Sequence, residues 1–141
     1  MTTTNYKKPL PVVPEYEQPA WDGPQQGKLM LQRCASCKAN IYPFNSWCTA
    51  CHSFETEWFQ ASGKGTITGR IIYHQAFHPG FADSIPYNVI WVRLEEGPLV
   101  TSNLVGGDYT TWDSIKPGTK VEAVFEDVTD KVTLTKFRVA S

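Results

Sequence analysis

The stretch C-A-S-C-K-A-N-I-Y-P-F-N-S-W-C-T-A-C, residues 34–51, contains all four cysteines of the chain. Two C-x-x-C pairs separated by ten residues supply what a tetrahedral thiolate site requires. Each pair wraps one turn around an ion, and the hairpin between them brings the second pair back to the first. Zinc suits four soft thiolates with no open position, and the same four would also accept iron. The intervening loop is shorter than the roughly 15–20 residues common in patterns of this kind. Pro43 and Asn45 supply turn propensity near its middle. Beyond Ile41, Tyr42, Phe44 and Trp47 the segment has little core of its own. Metal ligation must therefore hold it, and structural zinc contributes on the order of 10 kcal/mol in small modules. Cys34, Cys37, Cys48 and Cys51 are the expected ligands of a structural Zn2+. Such a closed site leaves no position for water or substrate, so no catalytic residue is assigned to it. A thioredoxin-like reading fails because that motif opens a helix after a strand in a βαβ setting, which this chain does not offer.

Upstream, K-L-M-L-Q-R leads straight into Cys34 as a short strand feeding a knuckle would. Before it, residues 1–27 carry Pro9, Pro11, Pro14, Pro19 and Pro24, which argue for an extended arm. Tyr6, Val12, Val13, Tyr16 and Trp21 are spaced along this arm, so it is expected to dock on the chain's own body or on a partner.

Downstream of A-S-G-K-G, five strand-length apolar runs alternate with turn signals. They cover Thr66–His74, Tyr87–Leu94, Leu99–Val105, Thr119–Phe125 and Val132–Val139, with room for one short helical turn in D-Y-T-T-W-D-S-I. The expected architecture is mostly β: an extended arm over 1–27, a zinc ribbon over 28–60, and a five-stranded OB-type Greek-key barrel over 61–141. An open sandwich is the alternative.

With 13 basic and 14 acidic side chains the net charge is −1, so no broad attraction to phosphate backbones exists and nucleic acid is not expected as a partner. The opening M-T-T-T-N-Y-K-K lacks the apolar core of a secretory signal, and no run approaches the roughly 18 apolar residues that span a bilayer. A cytoplasmic protein without membrane attachment is the expectation.

These pieces, taken in order, resemble a known family: a rubredoxin-like zinc ribbon joined to an OB-fold, associated with acyl-CoA metabolism. The resemblance rests on Trp21 and Gly27 ahead of L-M-L-Q-R-C, on the two C-x-x-C pairs around Tyr42-Pro43, on S-G-K-G-T-I, on Pro86-Tyr87, on L-E-E-G-P-L-V-T-S-N-L-V and on K-P-G-T-K-V-E-A-V-F with a final Phe137-Arg138. One departure stands out. Where each knuckle of the family usually continues with glycine, this chain has Lys38 and His52. The resemblance implies a non-catalytic accessory subunit that forms a hetero-oligomer with a thiolase-like large subunit, or in some cases a hydratase or aldolase, with acyl-CoA at the shared interface. Benzoylsuccinyl-CoA cleavage in aromatic degradation is one candidate reaction by analogy. The alternative function is a single-stranded nucleic-acid-binding module, since zinc ribbons and OB barrels both serve there.

Four further residues are candidate partner or acyl-CoA contacts: Phe77, His78 and Phe81 on the long connection before Pro86, and Lys64 as a phosphate contact. G-K-G-T at 63–66 lacks Walker spacing and reads as a Gly-rich linker. His74 and His78 lack the glutamate of a zinc protease, and Asp83 and Ser84 lack a nucleophile elbow. Trp91 and Trp112 are expected to pack in or around the barrel.

Overall fold

Pro19 and Pro24 prove to lie inside a helix rather than to prevent one. The computed structural model describes residues 6–141, so residues 1–5 of the expected arm lie outside the described residues. A 3-10 turn at Glu15–Glu17 runs into helix α1 (Gln18–Gln25), which overturns the extended-arm expectation for that part. Pro19 occupies the first turn, where its missing N–H costs nothing. Pro24 falls in the last turn, after which Gly27 adopts a left-handed φ of 73°. The Gly27 amide donates to the Pro24 carbonyl and the Lys28 amide to that of Gly23, closing the helix end. Residues 6–14 carry neither helix nor strand.

The ribbon is a three-stranded antiparallel sheet in the order β2-β1-β3, comprising β1 (Met30–Cys34), β2 (Asn40–Ile41) and β3 (Thr56–Gln60). β1 is central, so both its edges are paired, and both its faces are covered as well. Leu31 and Gln32, consecutive and therefore on opposite faces, are each only 2% exposed.

The second sheet has the order β6-β5-β4-β7-β8, formed by β4 (Lys64–Tyr73), β5 (Tyr87–Leu94), β6 (Leu99–Ser102), β7 (Lys120–Asp127) and β8 (Thr133–Val139). All its ladders are antiparallel, and the sheet curls until Leu104 meets Phe137 in a parallel bridge. Hydrogen bonds from the Val105 amide to the Phe137 carbonyl (2.8 Å) and from the Phe137 amide to the Asn103 carbonyl (3.0 Å) complete this partial closure. The result is a curled half-barrel of OB type, as the strand pattern anticipated. The expected turn between the third and fourth strands is a 3-10 segment at Trp112–Ser114.

Of the strand bounds that differ from the sequence reading, the two displaced by two residues or more in β4 and β6 have identifiable reasons. β4 begins at Lys64, so the last three residues of G-K-G-T belong to the strand and not to a linker, and Gly63, at a φ of 79°, stands just before it. A Cβ on Gly65 would lie 2.5 Å from Cγ1 of Val92 and 2.7 Å from the Arg93 carbonyl oxygen, so only glycine lets the two strands approach there. β6 stops at Ser102 because Asn88, buried in the neighbouring strand, captures the chain beyond it. Its side-chain amide donates to the carbonyls of Leu104 (2.9 Å) and Tyr109 (3.1 Å), and its side-chain oxygen accepts from the Leu104 amide (2.7 Å). The Asn103 side chain donates in turn to the Asn88 carbonyl.

A hydrophobic core shared by ribbon and barrel joins the two, beside a small separate cluster of Cys34, Ile41 and Cys48. Leu31 of the ribbon and Ala61 at the junction pack with Ile67, Ile90, Val92, Leu94, Leu104, Ile115, Val121 and Phe137. Asn40 Nδ2 also reaches from the ribbon to the Glu96 carbonyl (2.8 Å), and the Ser62 amide donates to the Glu96 carboxylate.

Candidate metal centre and contact surfaces

The two C-x-x-C segments fold into matching knuckles. In the first, the Cys34 amide donates to the Ala39 carbonyl and the Lys38 amide to that of Cys34; in the second, the Cys48 amide donates to Ser53 and His52 to Cys48. Lys38 and His52 are the positive-φ non-glycine residues among those described, at 66° and 68°. Both positions thus hold a conformation that favours glycine without being glycine.

These turns bring all four sulfurs within 4.8 Å of one another. Cys34 and Cys51 Sγ lie 3.5 Å apart, and Cys37 and Cys48 Sγ 3.7 Å. Sulfurs bound tetrahedrally at about 2.3 Å would be separated by about 3.8 Å, so the donor set fits a structural zinc ion. No disulfide joins them. Cys34 and Cys48 are buried while Cys37 and Cys51 face outward.

The electrostatics agree with a cation between the sulfurs. The amide of Cys37 above all, with help from Ser36 and the neighbouring thiols, lowers the Cys34 thiol to about 6. Cys48 is lowered chiefly by the Cys51 amide, against burial. Cys51 receives the Ser53 amide, which favours its thiolate, yet its hydrogen bond with Cys34, burial and the other two thiols together push it up to about 12. A proton is therefore held at Cys51 beside two thiols that give theirs up readily, and a dication among the sulfurs would displace it.

Gln32 supports the loop between the knuckles in a way that sequence pattern did not reveal. Its Nε2 donates to the Asn45 carbonyl (2.7 Å) and its Oε1 accepts from the Asn45 amide (3.1 Å). A side-chain amide thereby imitates a strand partner for the hairpin tip. The one available signal was a polar residue inside an apolar strand run. Beside it, Tyr42, Phe44 and Trp58 form a chain of edge and tilted ring contacts at 5.2 and 4.9 Å. Tyr42 and Phe44, with Trp21 of α1 and with Val100 and Phe137 of the barrel, border a cleft of about 450 Å3.

The other four candidates do not form one surface. Phe77 and Phe81 join Tyr73 and Tyr87 in an aromatic group at the loop end of the barrel, with Tyr73 and Tyr87 stacked at 5.1 Å. Phe77 is 73% exposed. His78 has a local duty: its Nδ1 accepts from the Gly80 amide (2.9 Å) and caps the 3-10 turn Pro79–Phe81. Lys64 lies at the opposite end of β4, nine residues and roughly 30 Å of strand away from Tyr73.

The arm docks on the chain's own body at this loop. Lys8 Nζ sits 4.9 Å from the Phe81 ring centroid, and the backbone of Lys7 and Lys8 lies so close to Gly80 that a Cβ there would collide with it. Burial, then the Glu126 charge, raises the Tyr6 hydroxyl above its usual range; burial, then Lys136, lowers the Lys8 ammonium. Trp112, expected to pack on the barrel, is half exposed and lies under Arg70, whose guanidinium carbon is 3.7 Å from the ring centroid. No helix among the described residues is long and apolar enough to cross a membrane.

Comparison with known proteins adds independent observations. Residues 21–57 match the family model described as ChsH2, rubredoxin-like zinc ribbon domain, and residues 58–126 match ChsH2, C-terminal OB-fold domain. The chain is 32% identical over 133 residues to a probable enoyl-CoA hydratase alpha subunit of Thermomonospora curvata, covering 94% of this chain but only 40% of that one. It is 35% identical over 109 residues to a DUF35 domain-containing scaffold protein of Methanothermobacter thermautotrophicus, covering 77% and 79% of the two chains. Among solved structures, a chain of the Ltp2-ChsH2(DUF35) aldolase superposes with a TM-score of 0.82 at 32% identity, covering 94% of this chain and 100% of that one. A DUF35 protein of unknown function from Sulfolobus solfataricus, at 15% identity and a TM-score of 0.59, shares the fold.

Proposed function

Because this chain belongs to the DUF35 family, whose ChsH2-type members join a rubredoxin-like zinc ribbon to an OB-fold, we propose that it is a non-catalytic accessory subunit of a thiolase-superfamily complex. The complex would form or break a carbon–carbon bond in an acyl-CoA, with thiolysis of the benzoylsuccinyl-CoA type as one such reaction. The observation that carries this reading is the match to the Ltp2-ChsH2(DUF35) aldolase, whose matched chain is covered along its whole length.

In this reading Cys34, Cys37, Cys48 and Cys51 hold zinc as a structural ion that fixes the ribbon. With all four thiols so engaged, the nucleophilic cysteine and the base of thiolase chemistry belong to the large subunit. The exposed Phe77 beside Phe81 offers an apolar anchor for that subunit, and the barrel contributes to seating the acyl-CoA.

A second reading, in which the partner is a hydratase, is favoured by the 32% identity to the hydratase alpha subunit, of which this chain spans 40%. Co-expression with candidate large subunits tests both. The expected result is capture of a thiolase-like protein, thiolysis by the mixture, and none by either chain alone. Turnover by this chain by itself overturns the accessory role, and capture of a hydratase-like protein with hydration activity selects the second reading.

A further inference from the structure

Strand register places three cations together on the outer face of the barrel. Thr66 of β4 pairs with Arg93 of β5 on one side and with Lys120 of β7 on the other. Directly paired residues project from the same face of a sheet, so Arg93, Thr66 and Lys120 form a row across three strands. Lys64 stands two residues from Thr66, and hence on that same face. Gly65, Leu94 and Val121, which point the other way, are buried. The two flanking backbones are about 10 Å apart, two strand spacings. That distance lets an arginine and a lysine converge on one ligand above the threonine.

The charges here are unspent. Among the described residues the ion pairs use Arg33, Lys38, Lys136 and Arg138, and none uses Lys64, Arg93 or Lys120. Glu122, the strand partner of Lys64, is engaged with Arg138 at 3.5 Å. Lys120 Nζ donates to Thr66 Oγ1 (2.9 Å), which orients the hydroxyl and leaves the ammonium's other protons available. Arg93 gives one Nη1 hydrogen bond to the Gly97 carbonyl (2.8 Å), which fixes the guanidinium while its Nη2 edge stays open. The row borders a concavity of about 420 Å3. Glu95 also lines it, so the hollow carries three cations against one carboxylate, a local positive excess in a chain of net charge −1.

We infer that Arg93, Thr66 and Lys120, flanked by Lys64, form a binding site for a phosphate-bearing ligand. Two fixed N–H donors and a hydroxyl around a concavity match the tetrahedral oxygens of a phosphate ester or diphosphate. Under the proposed function that ligand is the nucleotide end of the acyl-CoA. This identification rests on that reading, whereas the anion site stands without it.

The test is titration calorimetry of the purified zinc-loaded chain with coenzyme A, pantetheine and inorganic pyrophosphate, at low and moderate salt. Binding of coenzyme A, weakened by salt and absent for pantetheine, is expected. Arg93→Ala and Lys120→Ala should each weaken it about tenfold, the loss of one charge-assisted hydrogen bond, while Lys136→Ala, on a different pair, leaves it unchanged. Pyrophosphate binding with the same sensitivity to the variants supports the anion site and removes coenzyme A as its particular ligand. Binding of neither phosphate compound, or binding indifferent to both substitutions, overturns the site. Partner capture by these variants, measured separately, reports on the accessory role: its failure with the wild-type chain sinks that reading and leaves the anion site intact.

Discussion

Lys38 and His52 occupy the same step of two matching zinc knuckles and share a left-handed backbone, with φ of 66° and 68°. A side chain in that region costs about 1–2 kcal/mol relative to the right-handed form, and a β-branched one costs more. The exposed Lys38–Glu57 contact, at 3.8 Å, offsets little of this. Lys38→Gly and His52→Gly should therefore each raise stability by up to about 1 kcal/mol, and Lys38→Val should lower it by about that amount. Urea denaturation of the zinc-loaded protein checks the sign. A destabilising glycine at both positions would mean that the turns are held by their side chains.

Metal removal gives a second expectation. Elemental analysis should find one zinc per chain, and a strong chelator should release it while exposing four titratable thiols. Cys34→Ser and Cys48→Ser, the buried pair, should abolish retention of the ion and unfold the ribbon, since metal binding and folding are one equilibrium in such modules. Readout by metal content and by the fluorescence of Trp47 and Trp58 separates the two events. A ribbon that keeps its signal without metal contradicts the assignment.

Gln32→Ala removes both hydrogen bonds to Asn45 and leaves the half-buried backbone donor and acceptor of that residue without their side-chain partner. The expected cost is about 1–3 kcal/mol, together with faster zinc release under chelator competition. Unaltered release kinetics would show that the loop tip does not depend on this clamp.

Asn88→Ala should cost about 3 kcal/mol, because three hydrogen bonds from one buried side chain fix the chain beyond β6. Asn88→Asp keeps the acceptor for the Leu104 amide but loses the donors and buries a charge, so it should be no better. Hydrogen exchange at Leu104 and Val105 gives the local readout: their protection should fall ahead of that of β4 and β5.

Gly80→Ala places a methyl group against the Lys7 backbone without demanding an unusual φ at residue 80. The arm should lift from the loop, seen as faster proteolysis within residues 6–14 while the barrel's melting is little changed. Equal cleavage rates would show that the arm is held elsewhere, through α1.

The metal site and the five barrel strands were legible because each is written locally. Four cysteines in two close pairs leave few alternatives, and period-two runs bounded by glycine and proline mark strands. What was missed is either double-edged or long-range. Pro19 and Pro24 read as helix breakers, although a first-turn proline takes nothing from a helix, so α1 was mistaken for extended chain. Gly65 read as flexibility where the structure needs its missing Cβ for close strand approach. The clamps of Gln32 and Asn88 join residues 13 to 21 apart, beyond the reach of periodicity, and the Arg93–Thr66–Lys120 row exists only once register is known. Lys64 and Phe77 could be named one by one, but their placement at opposite ends of β4 could not.

Leu31 belongs to the ribbon by chain order and to the barrel by burial. Zinc supply and the integrity of the whole fold are therefore thermodynamically linked, by RT ln(1 + [L]/Kd) for an ion bound only by the native state. A cell starved of the metal would lose the barrel's surfaces along with the knuckles, and the abundance of any complex built on them would follow metal availability without a dedicated sensor.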